Sequence, residues 1–474
     1  MNSLTPRIVL DELSSRSLAA FTERTFLPLN PGQTFQPGHH LRVLAYHLEL
    51  VREGKIQRLA IAMPPRHSKS VCASVAFPAW LLGHDPSTRI ICASYAADLS
   101  HSFSLQTRKI MEQPWYRHLF PRTRLDPRRT SQEEMRTTQH GFRIATSVGG
   151  PLTGKGGSII IVDDPIKAAD AHFESARRGV REWYQSTLLS RLDNPKRDAI
   201  VVVGQRLHPD DLHGLLIEQE DWVFLDLPAI ATETRTYRIG PEHEWEREVG
   251  HILQPDRVGR AELERLRREL GTAAFEAQYQ QRPVPPEGNL VKLEWFQRYD
   301  EPPHFDCFEA IVQSWDTALI PGEGNDYSVC TTWGLLGTRI YLLDVFREQL
   351  NYPDLRRTVL RMRKEVAAEL VIVEKAGSGV SLYQELHGQG HNWIRTLTPR
   401  GDKAGRLAQQ SAKIEAGLLW LPRNAKWLGT FESELAAFPH GSNDDQVDSL
   451  SQFLLALDYQ PTEIRSVAYY RSGA

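Results

Sequence analysis

Cysteine is scarce in this 474-residue chain, and its placement is unpatterned. The four residues, Cys72, Cys92, Cys307 and Cys330, include no C-x-x-C pair. That argues against a zinc site and against a disulfide framework, and it fits a reducing cytoplasm. No run of about 18 apolar residues appears, so no membrane-spanning helix is expected. The N-terminal stretch MNSLTPRIVLDELSSRSLAAF has early acids and no apolar run of signal-peptide type. A strong excess of either charge is missing too: the net charge is -3. Such a chain does not advertise itself as a nucleic-acid binder, and any positive charge meant for DNA must be local. The length suits two or three domains with ample core.

Glycine is missing where one motif ordinarily carries it. Met63-Pro64-Pro65-Arg66-His67-Ser68-Lys69-Ser70 follows the apolar run Leu59-Ala60-Ile61-Ala62. A buried strand running into a loop that ends in Lys-Ser is the layout of a phosphate-binding loop. Loop amides and the following helix N-terminus would cradle phosphates. Lys69 would reach the β/γ-phosphates and Ser70 would hold Mg2+. In G-x-x-x-x-G-K-[ST], Met63 occupies the first glycine position and Ser68 the second. A Pro-rich turn with an incidental Lys-Ser accounts for the same residues, so the rest of the chain has to decide.

Residues 1–57 read as mainly helical, with helical apolar spacing from Leu41 to Val51. The turn from Phe35 to His40 is either an adenine contact or a helix entry. Beyond the loop, Val71 to Leu82 reads as a helix, Arg89 to Ser94 as a strand and Leu99 to Met111 as a helix. The polar region 121–140, with Arg122, Arg124, Arg128 and Arg129, reads as a solvated loop, with a DNA-contacting surface as the alternative. Then Ser158-Ile-Ile-Ile-Val-Asp163-Asp164 gives an apolar strand ending in two acids. Buried parallel strands read as such continuous runs, and ligands bind at their C-terminal ends. Asp163 would hold Mg2+ through water or Ser70, and Asp164 is placed to orient or deprotonate the attacking water. Any core strand can end in Asp, but a phosphate loop followed by this strand about ninety residues on is far more specific than either alone.

A strand from Ala199 to Gly204 leads into Gln205 and Arg206, candidates for sensing the γ-phosphate, with a helix cap at Asp210 as the alternative. Another strand runs from Trp222 to Leu227. Repeated strand–helix units make a largely parallel sheet with helices on both faces. Residues 256–282 are helical and charge-rich, and Arg282-Pro-Val-Pro-Pro-Glu-Gly-Asn289 is the best linker. The expected division is a P-loop ATPase domain over 1–282, with 230–282 as a lid or linker subdomain, a linker over 283–300, and a second domain over 301–474.

That second domain carries its own chemistry. Strands run from Ala310 to Ala318 through Asp316, from Asn325 to Gly334, and from Arg339 to Phe346. A helix with Arg356, Arg357, Arg361, Arg363 and Lys364 follows, and then the strand Glu369-Leu-Val-Ile-Val-Glu374. Finally Asn443-Asp444-Asp445-Gln-Val-Asp448 opens an apolar helix, Ser449 to Leu457. Three antiparallel strands, a helix, a parallel strand and a late acidic helix make an RNase H-like layout. Asp445 and Asp448 share one helix face. With Asp316 and Glu374 they form a carboxylate cluster suited to two Mg2+ or Mn2+ ions that activate water on a phosphodiester. Asp444 reads as an N-cap, Asp326 as a strand start and Asp344 as a peripheral acid.

The order Pro64-Pro-Arg-His-Ser-Lys-Ser70, Ile161-Val-Asp-Asp-Pro-Ile-Lys167, Gln205-Arg-Leu-His-Pro-Asp-Asp-Leu212, Ser314-Trp-Asp-Thr-Ala318 and Asp444-Asp-Gln-Val-Asp448 resembles the large terminase subunit of tailed bacteriophages and prophages. Phe275-Glu-Ala-Gln-Tyr-Gln-Gln-Arg-Pro283 and Gly401-Asp-Lys-Ala-Gly-Arg406 add to it, so the resemblance covers nearly the whole chain. It implies ATP-driven pumping of double-stranded DNA into a procapsid and metal-dependent cutting of the concatemer. Arg66, His67, Ser68, Lys69, Ser70 and Asp163 would bind Mg-ATP, with Asp164 as the catalytic carboxylate and Arg66 as the extra basic residue. Asp316, Glu374 and Asp448 would be the nuclease acids, with Asp445 the alternative to Asp448. Lys155 stands where a basic residue is typical. Ser68 departs from the family's usual glycine. Arg356, Arg357, Arg361, Lys403 and Arg406 are candidates for DNA contact, with a solvated helix face as the other reading of the first three. The implied partners are a small terminase subunit, a portal protein and further copies in a ring. The implied place is the host bacterial cytoplasm, with transient docking on the portal and absence from the mature virion. Two other readings remain at this point: a helicase or repair ATPase fused to a nuclease, and a packaging component whose motor has decayed.

Overall fold

Strands rich in Ile, Val and Ala alternate with helices along the first part of the chain, and they pair as that pattern dictates. In the computed structural model, which describes residues 6–152, 154–283, 290–317, 327–399, 401–441 and 443–459, two compact units form. One comprises Met1–Ala171 with Ser175–Pro285, the other Pro286–Ala474 with His172–Glu174. No helix among the described residues is long and apolar enough to cross a membrane.

The first unit holds β1 (Arg58–Ala62), β2 (Arg89–Ser94), β3 (Leu125–Thr130), β4 (Glu134–Thr137), β5 (Phe142–Ser147), β6 (Ile159–Asp163), β7 (Ala199–Gly204) and β8 (Val223–Asp226). They form one sheet in the order β3-β4-β5-β2-β6-β7-β1-β8. From β5 to β8 every pairing is parallel, and at one edge only β4 is reversed, pairing antiparallel with β5 and β3. Side chains alternate along a strand, so each face has its own core. Leu59, Ile61, Val201 and Val203 pack with Ala76, Trp80 and Leu44 on one face. Ala60, Ile160, Ile200 and Val202 pack with Trp183, Tyr184 and Leu188 on the other.

The region 121–140 is therefore corrected: it is not a loop but carries β3 and β4, which extend the sheet. The strand β5 and the small antiparallel hairpin of β9 (Arg235–Arg238) and β10 (Glu244–Arg247) were not expected. Within 256–282 the two helical stretches expected, Arg257 to Leu270 and Ala273 to Gln281, are the helices Arg260–Leu270 and Thr272–Gln278.

In the second unit, β11 (Gln297–Tyr299), β12 (Ala310–Asp316), β13 (Ser328–Leu336), β14 (Arg339–Glu348), β15 (Leu370–Glu374), β16 (Ile394–Leu397) and β17 (Leu419–Pro422) form a sheet in the order β11-β17-β14-β13-β12-β15-β16. The three strands β12, β13 and β14 are antiparallel, and β15 joins β12 in parallel, as the RNase H-like layout requires. The expected linker 283–300 needs correction at its end. Residues 284–289 lie outside the described residues, but Val291 and Phe296 are buried in this unit's core and β11 belongs to its sheet. Asn325, Asp326 and Ala318 also lie outside the described residues.

The Asp445–Tyr459 helix is fastened to the sheet by a buried polar seam. Ser314 Oγ donates to the Ser449 carbonyl and Ser449 Oγ to the Ser314 carbonyl, each at 2.8 Å. Gln452 Nε2 reaches Ser314 Oγ at 3.0 Å and the carbonyls of Trp315 and Ile372 at 3.2 and 3.3 Å. Trp333 stacks on Phe453 with centroids 4.7 Å apart. Apolar burial alone would let a helix rotate or slide; directional bonds to three strand positions do not. Replacing Gln452 with Leu strips partners from buried acceptors, so Gln452→Leu is expected to lower stability by about 1–3 kcal/mol in urea unfolding. An unchanged midpoint would mean the seam holds nothing.

Candidate active sites

The phosphate-loop sequence leaves β1 at the C-terminal edge of the parallel sheet. Met63 N still donates to the Gly204 carbonyl at 2.9 Å, and Asp164 N donates to the Val203 carbonyl at 2.8 Å. The ends of β1, β6 and β7 are thus level, and the loop and both acids share the edge where open α/β sheets place ligands. Arg66 and Ser68 have φ of 65° and 60°, in the left-handed region. Ser68 adopts the conformation that a glycine there would take freely. The chain is helical from Lys69 to His84, opening through a π-helical turn, Val71–Ala76. The loop therefore presents a helix N-terminus at the strand edge.

Lys69 is buried, with Nζ 3.3 Å from Oδ1 of Asp164. Asp163 accepts from Ser70 Oγ at 3.1 Å and from Ser74 Oγ at 2.6 Å. Burial, and then the charge of Asp164, push the pKa of Asp163 up. Arg143, fully buried on β5, donates from Nη2 to the Ser74 carbonyl at 3.1 Å, and its charge bears on Asp163. Asp163 and Ser70 offer hard oxygen donors of the kind Mg2+ takes, and a cation there would relieve the burial penalty. Arg66 is exposed on the loop. His67 is buried, donates from Nδ1 to the Pro65 carbonyl at 2.8 Å, and lies edge-on to His40.

Arg206 is already engaged. Its Nε lies 3.1 Å from Asp211 Oδ1, and its Nη2 donates to the carbonyls of His208 and Pro209. Asp211, not Asp210, caps the Leu212–Ile217 helix by accepting from Gly214 N. That leaves Gln205, whose buried Oε1 has no hydrogen-bond partner among the described residues. At the turn from Phe35, the His39–Arg52 helix begins at His39, whose ring stacks on Trp245 at 5.2 Å. Lys155 pairs with Glu134 at 3.1 Å.

In the second unit, Asp316 ends β12 and Glu374 ends β15; the strands are parallel with Trp315 beside Val373, so the two carboxylates are neighbours. Gly379 lets the next helix start against this edge, since a Cβ there would lie 2.3 Å from the Glu374 carbonyl oxygen. Asp448 and Asp445 enter from the first turn of the docked helix. Burial, then Asp448, Glu374 and Asp445, hold Asp316 well above the usual carboxylate range. Burial also raises Glu374, where the charge of Arg406 lowers the pKa and that of Asp448 raises it. Asp448 therefore bears on both strand acids. Burial, then Glu434 and Asp444, push Asp445 up to about 6.

Among the described residues no three acids, histidines or cysteines converge as they stand to hold an ion. Asp448 is turned onto two cations: Lys403 Nζ lies 2.7 Å from Oδ2 and Arg406 Nη2 lies 2.8 Å from Oδ1. The donor set of carboxylate oxygens, with mutual repulsion raising Asp316, nonetheless fits a hard divalent cation. Asp444 stands at the N-cap position, its carbonyl accepting from Asp448 N at 2.9 Å; its carboxylate pairs with Lys403 at 2.7 Å, while Glu434 receives the amides of Gln446 and Val447 at the helix N-terminus. Arg356 pairs with Glu385, Arg357 with Asp354 and Arg361 with Glu365, the pattern of a solvated helix face. Sequence reasoning did not single out Ser74, Arg143, Glu434, Ser449 or Gln452. Of these, only Ser449 and Gln452, at helical spacing from Asp445, carry a local signal.

The two sheets define a fold class, a largely parallel α/β sheet in the first unit and an RNase H-like sheet in the second. Residues 313–457 match the family model described as the terminase RNaseH-like domain. The large terminase of a thermophilic bacteriophage, solved in complex with ADP, aligns with TM-score 0.54 and 12% identity, covering 89% of this chain and 100% of that one. The same phage protein in complex with ATP-gamma-S aligns with TM-score 0.54 and 13% identity, covering 88% of this chain and 98% of that one. No curated protein matches by sequence. Residues 313–457 are thus similar to a terminase RNaseH-like domain, and over most of the chain the fold is shared with the large terminase structures.

Two substitutions test the turn of the phosphate loop. Ser68→Gly removes a left-handed strain of about 1–3 kcal/mol but adds chain entropy of about 0.5–1 kcal/mol, so stability should hold or rise slightly. Ser68→Val, β-branched at positive φ, should fall by more than about 1 kcal/mol. The reverse ranking in urea unfolding would disprove the left-handed turn. His40 and His67 are pushed down from 6.5 to about 3 and about 4, each chiefly by burial, with Arg247 and Arg257 facing both and Lys69 facing His67. Both stay neutral when folded and protonate near their ordinary value when unfolded. Stability is therefore complete above that value and lost as pH falls below it. By about pH 5 the loss is roughly 2 kcal/mol per histidine, and His40→Phe should show a correspondingly smaller loss between about pH 7.5 and about pH 5.

Proposed function

We propose that this protein is the large subunit of a phage or prophage terminase: an ATPase that drives double-stranded DNA into a procapsid and a divalent-metal endonuclease that cuts concatemeric DNA. The observation that carries the reading is the pairing of two carboxylate sites in one chain. Asp163 and Asp164 stand beside a Lys-Ser loop in one sheet, and Asp316, Glu374 and Asp448 gather at the edge of another. A small terminase subunit, a portal protein and a ring of further copies are the partners this role calls for. The host cytoplasm, with transient docking on the portal, is its place.

In the ATPase unit, loop amides and Lys69 hold the phosphates. Lys69 exchanges Asp164 for phosphate oxygens, which releases Asp164 to orient and deprotonate the attacking water. Ser70 and Asp163 would hold Mg2+, which when bound supplies charge neutralisation at the β- and γ-phosphate oxygens. Arg66, exposed at the loop, supplies positive charge where the transition state develops its negative charge. In the nuclease unit, Asp316, Glu374 and Asp448, with Asp445 beside them, would hold divalent ions, which when bound activate water and stabilise the leaving oxygen. DNA contacts are mainly to phosphates, which makes binding salt-sensitive and indifferent to sequence.

Ser68 in the left-handed turn favours a working loop over a decayed motor. ATP hydrolysis by the purified chain should fall at least about a hundredfold in Lys69→Ala and in Asp164→Asn. Mn2+-dependent plasmid cutting should vanish in Asp316→Asn while ATP hydrolysis persists. Equal ATP hydrolysis by wild type and Lys69→Ala would sink the motor assignment. Continued cutting by Asp316→Asn would sink the nuclease site.

A further inference from the structure

Asp448 has both oxygens on cations of its own chain. Arg406 and Lys403 come from the first turn of the Lys403–Glu415 helix, whose N-terminus Asp402 caps by accepting from Gly405 N at 2.7 Å. The two cations are held differently. Arg406 is 9% exposed and also donates from Nη1 to the Gly401 carbonyl, so it is part of the wall. The Lys403 side chain is 45% exposed and its ammonium bridges Asp448 Oδ2 and Asp444 Oδ1, each at 2.7 Å. An ammonium on a flexible stem is a movable point charge, and a half-exposed one can leave a buried carboxylate for water or for Asp444. A planar guanidinium in a buried fork is not so free.

We infer that Lys403 is a resident cation of the nuclease cluster. A divalent ion must displace it from Asp448, and this lysine thereby sets the metal concentration at which the cluster fills. The inference rests on the nuclease reading above. Charge balance supports it: Asp316, Glu374, Asp445 and Asp448 repel one another, and the charge of Lys403 lowers the pKa of Asp316, Glu374 and Asp445. The ammonium thus offsets part of the repulsion that a metal would offset more fully. It competes with metal for Asp448, and Asp444 gives it somewhere to go without leaving the cluster.

The test is Mn2+ binding to the full chain by titration calorimetry, using wild type, Lys403→Met, Lys403→Gln and Asp316→Asn. The heat that Asp316→Asn loses defines the nuclease site. Lys403→Met should bind Mn2+ there roughly 3- to 10-fold more tightly, and Lys403→Gln should do the same. With no metal added, both variants should melt at or below the wild-type temperature, because the cluster has lost its counter-charge. Unchanged or weaker Mn2+ affinity in both variants overturns the inference while leaving the nuclease reading intact. A wild type whose Mn2+ binding is no different from that of Asp316→Asn overturns the nuclease reading itself.

Discussion

Negative charge gathered at the edge of a sheet is the constraint on which both units depend. A carboxylate out of water is costly unless it is paired, protonated or bound to metal, and two side by side are worse. Asp163 and Asp164 are consecutive at the end of β6, and Asp316 and Glu374 end adjacent parallel strands. Neither arrangement would survive on hydrophobic packing alone. Each persists because the surrounding chain supplies donors and positive charge at the same edge. That supply decides where the loop, the helices and the buried arginine have to be.

The two units meet the requirement by different means. Asp163 is held by neutral donors, the hydroxyls of Ser70 and Ser74, with Arg143 acting through the Ser74 carbonyl and by its charge. Burial and the charge of Asp164 outweigh those donors and the charge of Lys69, so Asp163 keeps a raised pKa and gains from a cation. Asp448 is instead paired directly with Lys403 and Arg406, and it is Asp316 that is left with most of the repulsion. A site built on hydroxyls is poised for an incoming cation. A site built on ion pairs must first be opened.

Much of this was legible in the sequence, and the part that was not has a physical reason. β1, β6, β7 and β15 are buried, so their apolar runs announce them, and the acids ending β6 and β15 are read off the run's last residue. β3 is the edge strand and β4 its neighbour, and they carry Arg128, Arg129 and Glu134, so charge density disguised them as a loop. β9 and β10 failed for the same reason, being short and polar. The cap at Asp211 rather than Asp210 turns on which carboxylate faces Gly214 N, a one-residue matter of backbone direction. Ser74, Arg143, Glu434 and Gln452 act on partners far away in the chain, and no local pattern encodes such a partner.

The left-handed residues bring these strands together. Arg66, Ser68 and Asp164 all have positive φ without being glycine, and all three stand at the same strand edge. Each such residue costs of order 1–3 kcal/mol, so three at one edge are a sizeable fraction of a domain's net stability. The cost is sustained because the neighbours fix the geometry from both sides. Met63 N and Asp164 N are pinned to β7 by its Gly204 and Val203 carbonyls, and Cys72 N holds the Ser68 carbonyl at 3.1 Å. Glycine at position 68 would reach the same turn with less strain but would hold it less firmly, because a glycine chain has more alternatives to lose. The turn at Ser68 is therefore imposed by the strand on one side and the helix on the other, and the residue between them follows.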